Sequence, residues 1–87
     1  MINDKRVEAK ASGLKLVAEI DQAELAVRLL EIGCHMKRPL GMVGEDAMRN
    51  IMAMPNVESW VIDDFIRMAQ AAILYFGEVI RAGKPPQ

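Results

Sequence analysis

Eighty-seven residues carrying eleven basic and twelve acidic side chains make one domain's length of chain with a net charge of −1. The signs are interspersed and no basic block exceeds Lys37-Arg38, so the electrostatic footprint of a nucleic-acid binder is missing. Apolar residues form 52% of the sequence, more than a thin core hides comfortably when a 9.7 kDa chain buries roughly 64% of its unfolded surface.

A single cysteine, Cys34, excludes an intrachain disulfide framework and suits a reducing cytoplasm. The opening run Met1-Ile2-Asn3-Asp4-Lys5-Arg6 does not read as a signal peptide. No stretch of about eighteen uncharged apolar residues offers a membrane span. The expected setting is the cytoplasm, with no membrane partner.

In chain order, residues 1–12 are polar and expected to be flexible. Two readings of residues 14–20 compete. Leu14, Leu16, Ala18 and Ile20 alternate with Lys15, Val17 and Glu19, which suits a short strand before a helix capped by Asp21, with Glu24 completing a capping box. Against this, Leu16, Ile20, Ala23, Val27, Leu30 and Cys34 follow one another at spacings of four, three, four, three and four, an unbroken helical seam. The continuous helix over 14–36 is preferred, since Gly33 is the only breaker inside the run. His35, Lys37 and Arg38 then place cations at its carbonyl end, and Pro39 forbids continuation.

A loop at Pro39-Leu40-Gly41-Met42-Val43-Gly44 leads to a short helix over 45–53, with Ala47, Met48, Ile51 and Met52 turned inward. Asn56 reads as the N-cap of a last helix over 57–82, Gly83 as its C′ glycine, and residues 83–87 as a flexible tail. That helix carries two apolar stripes. Ile62, Phe65, Ile66, Ala69, Ile73, Phe76 and Ile80 form the expected core face; Val61, Met68, Ala72, Tyr75 and Val79 lie beside it. Asp63, Arg67, Gln70, Gly77 and Arg81 mark a solvent line interrupted by Leu74. The expected fold is all-α: one domain over 1–87, with two long antiparallel helices of about 34 and 39 Å joined by a loop and a short helix. Two such hairpins would assemble as a dimeric bundle.

Catalytic chemistry has little to use. The only histidine, His35, adjoins Cys34, and neighbouring helical residues point about 100° apart, so they do not form a nucleophile and base pair. Both read as structural, and no second histidine or cysteine completes a metal site from one chain. Asp63-Asp64 reads as a solvated helix face, with a metal shared between subunits as the less favoured alternative. Gly41-Met42-Val43-Gly44-Glu45 precedes a helix and its amides suit an anion, but no phosphate-loop pattern is present and an ordinary turn is preferred. No cofactor is expected. Five of the seven methionines fall between residues 36 and 54, and Met42, Met48, Met52 and Met54 form a candidate adaptable contact patch. Trp60, Val61, Met68, Ala72, Tyr75 and Val79 are the candidate interface, with Tyr75 the best placed because its hydroxyl tolerates a wet rim.

Ala26-Val27-Arg28-Leu29-Leu30, followed some thirty residues on by Trp60 and then Met68-Ala69-Gln70-Ala71, resembles a family of short uncharacterised bacterial helical-hairpin proteins. The likeness spans about residues 20–73. Gln70 stands where that family has lysine, and the connection here is longer and richer in methionine. The resemblance implies a helical hairpin and a bacterial cytoplasmic setting, and brings no activity with it.

The function expected from these residues is non-enzymatic. It is a homo-oligomeric interaction module that binds another protein as a regulator, adaptor or inhibitor, a type that mobile elements also encode. One alternative is a small-ligand or nucleotide binder with a pocket between hairpins lined by Met48, Met52, Trp60 and Tyr75. The other is a ribbon-helix-helix DNA-binding regulator pairing Leu14–Ile20 as an intersubunit strand. There Glu19 would face phosphate beside Lys15 and Val17, a poor choice.

Overall fold

The computed structural model of the protein describes residues 12–83. Among the described residues four helices follow one another: α1 over residues 12–18, α2 over Gln22–Gly33, α3 over Gly44–Met52 and α4 over Ser59–Ala82. No strand occurs among the described residues, so the ribbon-helix-helix reading loses the strand it requires. The expected flexible ends fall mainly on residues 1–11 and 84–87, outside the described residues. Contacts divide the chain into two compact units, one of Asp21–Ala71 and one containing residues 12–20 and 72–83, with α4 contributing to each.

The expected continuous helix over 14–36 is two helices and a loop start. The α1 helix closes on short bonds, Glu19 N–H to the Lys15 and Leu16 carbonyls and Ile20 N–H to Val17 O. Asp21 then leaves helical geometry (φ −76°, ψ 109°), and its Oδ1 accepts the Glu24 N–H at 3.2 Å. A residue that caps satisfies an amide that a continuing helix leaves to its own ladder, and here the cap prevails over the seam. The strand alternative was right about this cap and wrong about the strand.

The other end of α2 also comes early. Met36 N–H reaches the Glu31 carbonyl and Cys34 N–H the Leu30 carbonyl, while His35 sits at φ +53°. This is a Schellman-type stop with histidine in the left-handed position usually held by glycine. The cations expected in the last helical turn therefore lie beyond it.

The α3 and α4 helices lie within two residues of the expected ranges. Asn56 does not cap α4, however. Pro55-Asn56 is consumed in a turn, and the Glu58 carbonyl accepts the first helical bonds from Val61 and Ile62. Gly83 ends α4 as expected, at φ +68° with its N–H on the Ile80 carbonyl.

In the Asp21–Ala71 unit the core is Ala26, Val27 and Leu30 of α2, Ala47, Met48 and Ile51 of α3, and Ile62 and Ala69 of α4. Alanines at contact positions let helix backbones approach closely, and the three-four spacing aims each set at one face. Met52, expected inward, is exposed at the end of α3. Close approach also fixes Gly33, because a Cβ there would lie 2.3 Å from Cζ of Phe65.

In the other unit, α1 meets the second half of α4 at its glycines. A Cβ on Gly13 would stand 3.2 Å from Ile80 Cγ2, and one on Gly77 4.0 Å from Val17 Cγ1. Gly77, expected on the solvent line, is therefore buried. Phe76, expected in the core, is 46% exposed. Its ring lines a cleft with Leu16, Val17 and Ile20.

Candidate functional site

Three features of the surface bear on function: a charged clamp over α2, an apolar cleft beside α1, and the exposed face of α4. The clamp arises because Glu24 and Glu31 lie seven residues apart, two helical turns along the same face of α2. Arg38, on the loop after α2, folds back onto both. Its guanidinium donates to both Glu24 oxygens, at 2.6 Å from Nη1 and 2.8 Å from Nη2, and to Glu31 Oε1 at 2.9 Å from Nε and 2.5 Å from Nη2. Arg28 Nε adds a bond to Glu24 Oε2 at 2.8 Å, and the Gly44 amide donates to Glu24 Oε1 at 2.9 Å.

Arg38, the Gly44 amide and Arg28, in that order, hold the Glu24 carboxyl down at about 2. The Arg38 guanidinium is pushed above its ordinary value by its bonds to Glu24 and Glu31. A strongly shifted carboxylate often marks catalysis. Here both oxygens are engaged by donors, and a carboxyl held that low stays ionised at neutral pH. Of the amides at Gly41–Glu45, that of Gly44, at the N-terminus of α3, meets an anion from within the chain, the Glu24 carboxylate. Sequence reasoning saw Glu24 as the second half of a capping box. Its carboxylate is drawn instead to a cation fourteen residues away, which no local pattern announces.

Cys34 is half-buried beside the core and His35 forms the helix stop. Among the described residues no three His, Cys, Asp or Glu side chains converge as metal ligands.

The cleft lies in the unit of residues 12–20 and 72–83. It encloses about 390 Å³ between Leu16, Val17 and Ile20 of the N-terminal segment and Tyr75, Phe76 and Ile80 of α4, and its lining is almost wholly apolar. Of the candidate contact methionines, Met48 belongs to the core and cannot be part of a surface patch; Met42 packs against that core, Met54 is half-buried and Met52 is exposed.

The candidate interface residues divide likewise. Val61 packs against the core, and Ala72 and Val79 are half-buried, whereas Trp60, Met68 and Tyr75 are 62, 51 and 56% exposed. Leu74, 66% exposed, and the small exposed Ala71 lie on the same side of α4. The outward face is thus rotated by roughly 70° from the expected stripe, at 100° per residue. Leu74 had been visible in the sequence as the interruption of the solvent line. Leu40, at the tip of the loop that Arg38 pins, is fully exposed; its signal in the sequence is an apolar residue between Pro39 and Gly41.

No family model, curated protein or solved structure matches the chain.

Proposed function

We propose that this protein is a non-enzymatic helical interaction module that self-associates and acts on another protein as a regulator, adaptor or inhibitor in the cytoplasm. The observation that carries the reading is the outward face of α4, where Trp60, Met68, Leu74 and Tyr75 stand exposed around Ala71. Large apolar and aromatic side chains gathered on one face are costly to leave in water, and they are the residue types that anchor interfaces. The saturation of Glu24 agrees with a role outside catalysis. Among the described residues no helix is long and apolar enough to cross a membrane.

Sedimentation across the micromolar range tests self-association, and a mass that stays near that of one chain rejects it. Affinity capture from the protein's own host tests the partner. A specific protein recovered with the wild type and lost with Tyr75→Ala supports the reading; one recovered equally with both places the contact elsewhere.

The cleft beside α1 favours a second reading, a binder of small apolar ligands. Its lining offers almost no polar group to orient a nucleotide, so the ligand class would be hydrocarbon-like. A rise in melting temperature with fatty acids but not with nucleotides would select this reading over the first.

A further inference from the structure

We propose that the self-association surface is an antiparallel pairing of α4 with α4 of a second copy, about a two-fold axis between Ala71 and Leu74. The inference rests on the self-association reading and adds to it the helix, the orientation and the pairing residues. The α4 helix is unbroken from Ser59 to Ala82, so its own periodicity fixes which residues share a line. Asp64, Arg67, Ala71, Leu74, Glu78 and Arg81 recur at spacings of three, four, three, four and three, and all six are exposed. That is a two-helix seam with small and apolar residues at its middle and charges towards both ends.

The order of charges selects the orientation. In an antiparallel pair centred between Ala71 and Leu74, Ala71 of one copy faces Leu74 of the other, Arg67 faces Glu78, and Asp64 faces Arg81. Each contact occurs twice, as two-fold symmetry demands. A parallel pair in register sets every one of these charges against its own kind, which is repulsive. None of the four has an ion-pair partner among the described residues. Met68 and Tyr75, both exposed, flank the seam on one side, and the antiparallel arrangement brings Met68 of each copy to Tyr75 of the other. A thioether against an aromatic ring is a favourable and adaptable contact. Ala71 at the centre permits close approach, with Leu74 as the knob it receives.

Charge reversal tests the pairing by sedimentation equilibrium, with circular dichroism to show that each variant keeps wild-type helicity. Arg67→Glu and Glu78→Lys should each weaken the dimer by about tenfold, and the two together should restore it to within about threefold of wild type. A dimer indifferent to both single changes, or weakened further by the double change, overturns the antiparallel seam while leaving self-association standing. A wild-type protein that stays monomeric removes self-association itself. In a Cys34→Ala background, a mixture of Ala71→Cys and Leu74→Cys chains should oxidise to the mixed disulfide faster than either chain alone. The reverse order of rates overturns the proposal independently of the charged residues.

Discussion

His35 is the one non-glycine residue among those described that holds a positive φ, and its φ of +53° ends α2. A side chain in this region costs about 1 kcal/mol relative to glycine, which enters it freely. His35→Gly is therefore expected to raise stability by about 0.5 kcal/mol, the gain in strain being partly offset by a freer unfolded chain. A rise in the urea midpoint with no change in slope would bear this out, and a fall would mean that the imidazole makes a contact worth more than the strain. Glu24 gives the second residue-scale prediction. Its carboxyl titrates near 2 in the folded protein against an ordinary 4.5, held there first by Arg38. The group contributes stability that is fully present above pH 4.5 and is lost as pH falls from there towards 2. The shift corresponds to at most about 3 kcal/mol, less for a side chain still about one-fifth in water. Arg38→Ala should be less stable at pH 7 by roughly 2 kcal/mol and should lose less than wild type between pH 5 and pH 3. Parallel acid titrations of the two proteins, with equal losses in that window, would show that another group governs the acid limb.

Asp21 shows at the scale of elements why helical spacing does not reveal the break between α1 and α2. Leu16, Ile20, Ala23, Val27 and Leu30 keep perfect helical spacing across a point where the helix stops. Periodicity reports only which residues are apolar, and α1 and α2 happen to keep step across their break. The decision belongs to one capping bond and to the unit each helix serves: Val27 and Leu30 enter the core of Asp21–Ala71, while Leu16 and Ile20 line the cleft of the other unit. The α3 and α4 helices were legible because Pro39, Pro55 and Gly83 bound them, and such residues act through their own backbone. The clamp was illegible for the opposite reason, since Glu24 and Arg38 meet only through the fold. The inward face of α4 was readable at Ile62 and Ala69 but failed at Phe76, which is 46% exposed. If the Asp21 cap sets the break, Asp21→Ala should cost about 1 kcal/mol. Gly44→Ala should cost at least as much, because Gly44 sits at φ +56° and an added Cβ would lie 2.7 Å from Asp21 Oδ2. Chemical denaturation measures both, and an Asp21→Ala protein as stable as wild type would mean that chain connectivity, not the cap, makes the break.

Across the whole molecule, 52% apolar residues are divided between a small core and a broad exposed surface. Among the described residues eight form the buried core, and three of them are alanines, so that core has few large side chains with which to offset chain entropy. Leu30 is fully buried and among the largest of them. Leu30→Ala should cost about 3 kcal/mol, a large share of the stability of a domain this size. Tyr75 is equally apolar in body yet more than half exposed, so its removal takes little from folding. Tyr75→Ala should keep the helical signal, and in solutions too dilute for the dimer also the melting temperature, near wild type while weakening association, because the ring is withdrawn from the partner and not from the core. The contrast needs two measurements on each variant, thermal melting by circular dichroism and mass by sedimentation. A Tyr75→Ala chain that unfolds while Leu30→Ala merely dissociates would reverse the division between core and contact surface. Both variants losing helicity together would mean that folding and association are one equilibrium, with the outward face of α4 completing the core of a second copy. In that case the melting temperature of the wild type should keep falling on dilution until no folded chain remains, whereas a separately folded module keeps a constant melting temperature once it is diluted below the dimer's dissociation constant.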